Sequence, residues 1–167
     1  MKKVWYSIVA VAFLLPLSAS AADSAAVLDA KVAEAIAAFK EEVNGGDVFL
    51  RQAAGYLVFP RVIKVGIGIG AETGEGALRV AGRTAAYYRT TSGSFGLQLG
   101  AQAKSIVIAF MTKESLAAFR ASSGWQVGID GSVALIDLGA GKQINTKNIK
   151  DPVVGFIFGA KGLMYNL

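Results

Sequence analysis

Two hydrophobic periods divide the chain. From Leu28 to Val43 the apolar residues Leu28, Val32, Ile36, Phe39 and Val43 recur at steps of four, four, three and four in an alanine-rich stretch, which sets them on one stripe of a helix. Asp23 or Ser24 is placed to cap its start, and Asn44, Gly45 and Gly46 to stop it. Asp47 then caps a short second helix that runs through Ala54 and ends at Gly55. Beyond Tyr56 the period becomes two. It is clearest from Ser94 to Gln102, where Phe95, Leu97, Leu99 and Ala101 alternate with Ser94, Gly96, Gln98, Gly100 and Gln102. Similar segments run at about 62–71, 76–82, 84–90, 104–111, 126–138 and 153–165, parted by turn residues at Glu72-Thr73-Gly74, Thr91-Ser92-Gly93 and Asp130-Gly131. Short links predict antiparallel neighbours. One helix interrupts: Thr112 caps Lys113 to Arg120, with Leu116 and Phe119 on its inner side.

The predicted class is therefore α+β: N-terminal helices followed by a curled antiparallel sheet or half-barrel of six to seven strands, with one inserted helix and helices against one face. Tyr87 and Tyr88 are strand neighbours and point to opposite faces, so at most one of them joins the core.

The stretch KVGIGIGAETGEGALRV, residues 64–80, tests this reading. Gly66-Ile67-Gly68-Ile69-Gly70-Ala71 fits the letters of a dinucleotide fingerprint, but that motif must end a strand, open a helix and be followed by an acid about 20 residues later. Here Glu72-Thr73-Gly74-Glu75-Gly76 follows, which does not open a helix, and the next acid after Glu75 is Glu114. Read as a strand, Gly66, Gly68 and Gly70 share the face of Lys64, and Val65, Ile67, Ile69 and Ala71 fill the other. A bare stripe weakens a strand unless something approaches it closely, so either a helix or curled neighbouring strand packs there or a ligand chain lies there, and tight curvature favours packing.

Composition narrows the function. Lys2 and Lys3 precede an apolar run from Val4 to Leu17 that ends in Ala19-Ser20-Ala21, so residues 1–22 read as a signal peptide cleaved near Ala21 or Ala22. The run is shorter than the roughly 20 residues of a spanning helix. A periplasmic or secreted protein follows, with residues 23–167 as a single domain: a helical lead over 23–54 and a mainly β body over 55–167. With no cysteine and no histidine, the chain excludes thiol catalysis, disulfides, a Ser-His-Asp triad and the usual zinc ligands. Paired acids such as Glu72 with Glu75 lie on turn residues, without the supporting groups that acid–base chemistry needs. No enzymatic activity, metal or cofactor is expected.

Charge is unevenly spread. Residues 23–47 hold six acids against Lys31 and Lys40, a net charge of −4, whereas residues 48–167 hold thirteen Lys or Arg against six acids, a net charge of +7. A basic body of this kind attracts anionic surfaces. Nucleic acid is not an expected partner at a periplasmic address.

Five segments closely resemble the SYLF domain family: AGYLVFPRVIKVGIGIG at 54–70, GEGALRVAGRTAAYY at 74–88, GSFGLQLGAQAKSIVIAFMT at 93–112, SGWQVGIDGSV at 123–133 and DPVVGFIFGAKGLMYNL at 151–167. The resemblance covers nearly all of the chain after the first helix, in order. It implies a lipid-binding domain; eukaryotic members favour phosphoinositides, some yeast members bind actin filaments, and bacterial members are mostly secreted. In eukaryotic relatives a basic amphipathic helix ahead of the sheet contacts membrane, whereas the matching helix here carries Glu34, Glu41 and Glu42. Relatives often run on beyond the position of GLMYNL, so a final strand or tail is expected to be absent here.

Lipid binding, on this resemblance, belongs to the basic body. The expected contacts are Arg61, Lys64, Arg79 and Arg83, extended by Arg89, together with Lys142, Lys147 and Lys150 in the polar connection GKQINTKNIKDP. Each cation near an anionic leaflet is worth about 1 kcal/mol. The expected function is a secreted, non-enzymatic domain that associates with phospholipid or an anionic membrane surface; the alternative is an envelope structural or protein-interaction module with no lipid ligand.

Overall fold

The computed structural model describes residues 23–124, 134–137 and 150–166. Helix α1 spans Ala25–Glu42, with Ser24 as its cap and Leu28, Val32, Ala35 and Phe39 buried. Helix α2 spans Gly46–Gln52 and is entered through Gly45 in the left-handed region, so Asp47 lies inside its first turn instead of capping it. There it pairs with Arg51 at 2.7 Å, one helical turn on. Helix α3, Lys113–Ala121, starts at the expected Thr112, which forms a reciprocal capping box with Ser115.

Four strands form the described sheet, in the order β1-β2-β4-β3. Strand β1 (Gly55–Val80) has 26 residues and β2 (Arg83–Phe110) has 28; the shorter β3 (Ala134–Asp137) and β4 (Val153–Asn166) complete it. The segments expected as separate strands at 62–71 and 76–82 are thus one strand, and those from 84 to 111 another. The turn residues expected to part them face each other instead: Glu72 pairs with Ser92, Thr73 with Thr91 and Ala71 with Gly93. Each set satisfies the backbone of the other, so neither breaks the ribbon. The true turn is at Ala81-Gly82, both with positive φ (49° and 75°), as a two-residue hairpin loop requires. Pairing is antiparallel except between β3 and β4, which run parallel. Of the segment expected as a strand at 126–138, residues 126–133 lie outside the described residues.

The sheet is buried on both faces near its centre, not covered by helices on one face alone. Val58, Ala77, Val107, Ala109, Phe156 and Phe158 pack under α1 and α2. The alternate residues Leu57, Phe59, Leu78, Ile108 and Phe110 pack with Leu116 and Phe119 of α3, as the period of two dictates. Phe39 and Phe49 meet Phe156 edge-on at 5.0 and 5.3 Å. Tyr88 joins the second cluster beside Phe119, while Tyr87 stays exposed and donates to Asp29 Oδ2 at 3.0 Å.

The ribbon made by β1 and β2 doubles back on itself. A methyl group on Gly76 would lie 2.4 Å from the Val58 carbonyl oxygen, and one on Gly74 would lie 2.8 Å from that of Arg61. The two limbs of β1 therefore touch backbone to backbone. Lys104 and Glu72 tie the limbs together with an ion pair at 3.1 Å. The bend falls at Gly66–Gly70: Gly68 takes φ +70°, and a methyl on Gly66 would meet the Gly70 Cα at 3.0 Å. Glycine is required where a chain turns this tightly on itself. Of the bare stripe read from sequence, Gly66 and Gly70 are buried as a packing device, whereas Gly68 is exposed with no atom within 4 Å of where its Cβ would lie and serves the turn instead.

Candidate functional site: an apolar bend with basic flanks

At the bend the usual polarity of a strand is inverted. Gly66, Gly70 and Gly74 lie on the buried inner side, leaving the outer side to Val65, Ile67 and Ile69. Ile67 is 83% exposed, Ile69 67% and Leu99 53%. Ile67 pairs directly with Leu99, and Val65 with the exposed Ala101, so these side chains share one face across two strands. Ile63, two residues before Val65, continues the patch toward α1. Monomeric proteins seldom leave adjacent large apolar side chains in water without a use for them. The sequence showed which residues alternate but not which side faces inward; the glycines decide that, because only their side is thin enough for the limbs to meet.

Ile63 also lines a groove of about 260 Å³ between the start of α1 and the ribbon, with Lys31, Arg61, Glu75 and Arg89. Lys31 bonds Asp23 at 2.6 Å, and Arg89 bonds Glu75. Glu75 also accepts from the Asp23 backbone N–H at 3.2 Å; the Arg89 bond, then this one, hold its carboxyl below the ordinary range. Farther along, Asp29 accepts from Thr84 at 2.7 Å and from Tyr87, and the Thr84 bond above all lowers its pKa. These carboxylates fasten α1 to the ribbon. Arg61 follows the register shift after Phe59, is exposed and has no carboxylate partner among the described residues.

The other expected contacts do not gather on one patch. Lys64 is half-buried on the glycine side of β1, and Arg83 is exposed beside the hairpin turn. Arg79 is half-buried on the second limb, donating to the Asp29 carbonyl at 3.5 Å. Its carbonyl lies against Gly55, six residues before Arg61, which separates the two arginines by about 20 Å along the strand. Lys150 is exposed just ahead of β4, whereas Lys142 and Lys147 lie outside the described residues. Sequence reasoning passed over Lys161, exposed and paired with Ala103 in the row that begins at Ile63; only the register brings it to the patch. Among the described residues no group of acids is arranged to hold a metal ion, and no helix is long and apolar enough to cross a membrane.

An α+β domain with a folded-over β ribbon, an outward apolar bend and scattered cations is built for binding. Residues 91–167 match the family model Ysc84, described as Las17-binding protein actin regulator. Over that span, which runs through most of β2 to the end of β4, the chain is similar to the Ysc84, or SYLF, domain family, a family of binding domains. No curated protein is matched by the chain.

Proposed function

We propose that this protein is a secreted, non-enzymatic domain that associates with anionic phospholipid surfaces through the bend of its β ribbon. The observation that carries this reading is the exposure of Ile67, Ile69, Val65 and Leu99 on one convex end, with Arg61 two residues before Ile63 and Lys161 in the Ile63 row, where the patch continues down the limb. A convex apolar end flanked by cations suits the boundary between acyl chains and headgroups: the aliphatic side chains leave water, and each cation adds about 1 kcal/mol against an anionic leaflet. Arg83 and Lys150 strengthen the long-range attraction without forming part of the bend, and Lys142 and Lys147 add charge of the same sign. The acidic α1 does not form part of the bend; of its carboxylates, Asp29 is engaged by Thr84 and Tyr87 of the ribbon.

Flotation with vesicles of phosphatidylglycerol and phosphatidylcholine tests the proposal. Binding should rise with the phosphatidylglycerol fraction, weaken as salt screens the cations, and be lost in the Ile67→Asp/Ile69→Asp variant. Equal flotation of that variant, or none by the native protein, would refute it. A co-purifying envelope protein in the latter case would favour a protein-docking module.

A further inference from the structure

The groove between α1 and the ribbon holds a contact that vesicle binding does not use. The backbone nitrogen of Asp23 donates to Glu75 Oε2 at 3.2 Å. Glu75 gives its other oxygen, Oε1, to Arg89, and the Asp23 carboxylate is taken up by Lys31 at 2.6 Å. One carboxylate oxygen of the ribbon is thus reserved for the nitrogen of a single residue. That residue is one at which the mature chain can begin. Leader removal needs small residues at the last and third-last positions before the cut. Ala19-Ser20-Ala21 and Ser20-Ala21-Ala22 both satisfy this, so the residue pattern permits a cut on either side of Ala22. The two cuts leave different charge beside Glu75. After Ala22, the Asp23 nitrogen is an ammonium group; after Ala21 it stays a neutral amide and the ammonium lies one residue farther along the chain. An ammonium just ahead of Ser24, the cap of α1, is repelled by the positive end of the helix unless an acid faces it. Glu75 is that acid.

We infer that the leader is cut between Ala22 and Asp23, and that the ammonium group so formed pairs with Glu75 and fastens α1 to the ribbon. Hydrolysis of the amide by a signal peptidase consumes one water: its oxygen goes to Ala22, which leaves as a carboxylate, and both its protons go to the Asp23 nitrogen. A neutral hydrogen bond to Glu75 thereby becomes a charge-assisted one, which is the stronger kind. The fastening is complete only in the processed chain, in the groove where Ile63 leads the apolar patch toward α1. This inference rests on the secretion proposed above and is independent of lipid binding.

Intact mass and N-terminal sequencing of the exported protein test the cut. A chain that begins at Asp23 is expected. One that begins at Ala22 would overturn the inference and leave secretion standing, whereas a chain that keeps its leader would overturn both. The pair is tested by pH. Besides Glu75, the charged and titratable groups around the ammonium are Arg61, Arg89 and Tyr87 of the ribbon and Lys31 and the Asp23 carboxylate on the helix side. Desolvation and the bond to Asp29 raise the Tyr87 pKa, so its hydroxyl stays neutral. A facing carboxylate raises the ammonium pKa above its unfolded value of about 8, so the pair stabilises below that value and is lost as pH rises through the folded one. Glu75→Gln should therefore lower the melting temperature of the exported protein by about 2–4 °C at neutral pH, and by less at about pH 9.5. An equal loss at both would overturn the pair. Competitive acetylation of the native exported protein, which needs no variant, should titrate the α-amine above about 8; a value at or below that would overturn it as well.

Discussion

The base and the bend of the β ribbon obey the same alternation and put it to opposite use. At the base, Leu57, Phe59, Ile108 and Phe110 fill one core and Val58, Val107 and Ala109 the other, so both faces are apolar and both are covered. At the bend, Gly66 and Gly70 are buried on the inner side, while Gly68 at its centre and the side that carries isoleucine and valine are left in water. The lesson is that apolar residues do not by themselves decide which side of a strand goes inside. Where two strand limbs must touch, the thinner side wins, because a Cβ at Gly74 or Gly76 has no room. Exposure of the other side follows from geometry and is then available for binding.

The largest effect expected from this contrast lies at the base. Phe156→Ala, which removes the ring shared by Phe39 and Phe49, should cost about 3–5 kcal/mol in denaturant unfolding. Next comes the contact between the limbs. Gly76→Ala drives a methyl into the Val58 carbonyl and should cost about 1–3 kcal/mol or more; an unchanged midpoint would mean that the limbs do not touch.

A smaller effect is set by pH. Asp29 and Glu75 have lowered pKa values in the folded chain through their bonds to Thr84 and Arg89, so their contribution is fully present above the ordinary carboxylate pKa of about 4. It is lost as pH falls through the lowered values. The melting temperature should drop over that acid range, and less steeply in Asp29→Asn/Glu75→Gln than in the native protein. The smallest change in stability belongs to the bend: Ile67→Asp should alter unfolding by no more than about 0.5 kcal/mol while abolishing vesicle binding. A large loss of stability there would place Ile67 in a core.

Much of this was legible in the sequence. The stripe from Leu28 to Val43, the Thr112 cap, the opposed directions of Tyr87 and Tyr88, and the burial of Gly66 and Gly70, though not of Gly68, follow from period and local chemistry alone. Three things did not. Turn residues at 72–74 and 91–93 look like breaks until the register, fixed by Ala81-Gly82, sets them against each other. Asp47 looks like a cap until Gly45 takes the left-handed conformation and starts the helix two residues earlier. The apolar bend was hidden because periodicity names two faces without saying which is inner. Of the candidate site, Arg61 was found by its charge, but Ile67, Leu99 and Lys161 become neighbours only through the pairing of three strands.

The most direct test uses the absence of cysteine from the chain. An environment-sensitive fluorophore on Ile67→Cys should emit as a water-exposed group in buffer and shift to the blue on addition of phosphatidylglycerol vesicles, while the same label on Ala117→Cys, exposed on α3, should not respond. Blue-shifted emission already in buffer, or no response of the Ile67→Cys label to vesicles, would contradict an outward apolar bend that meets the membrane.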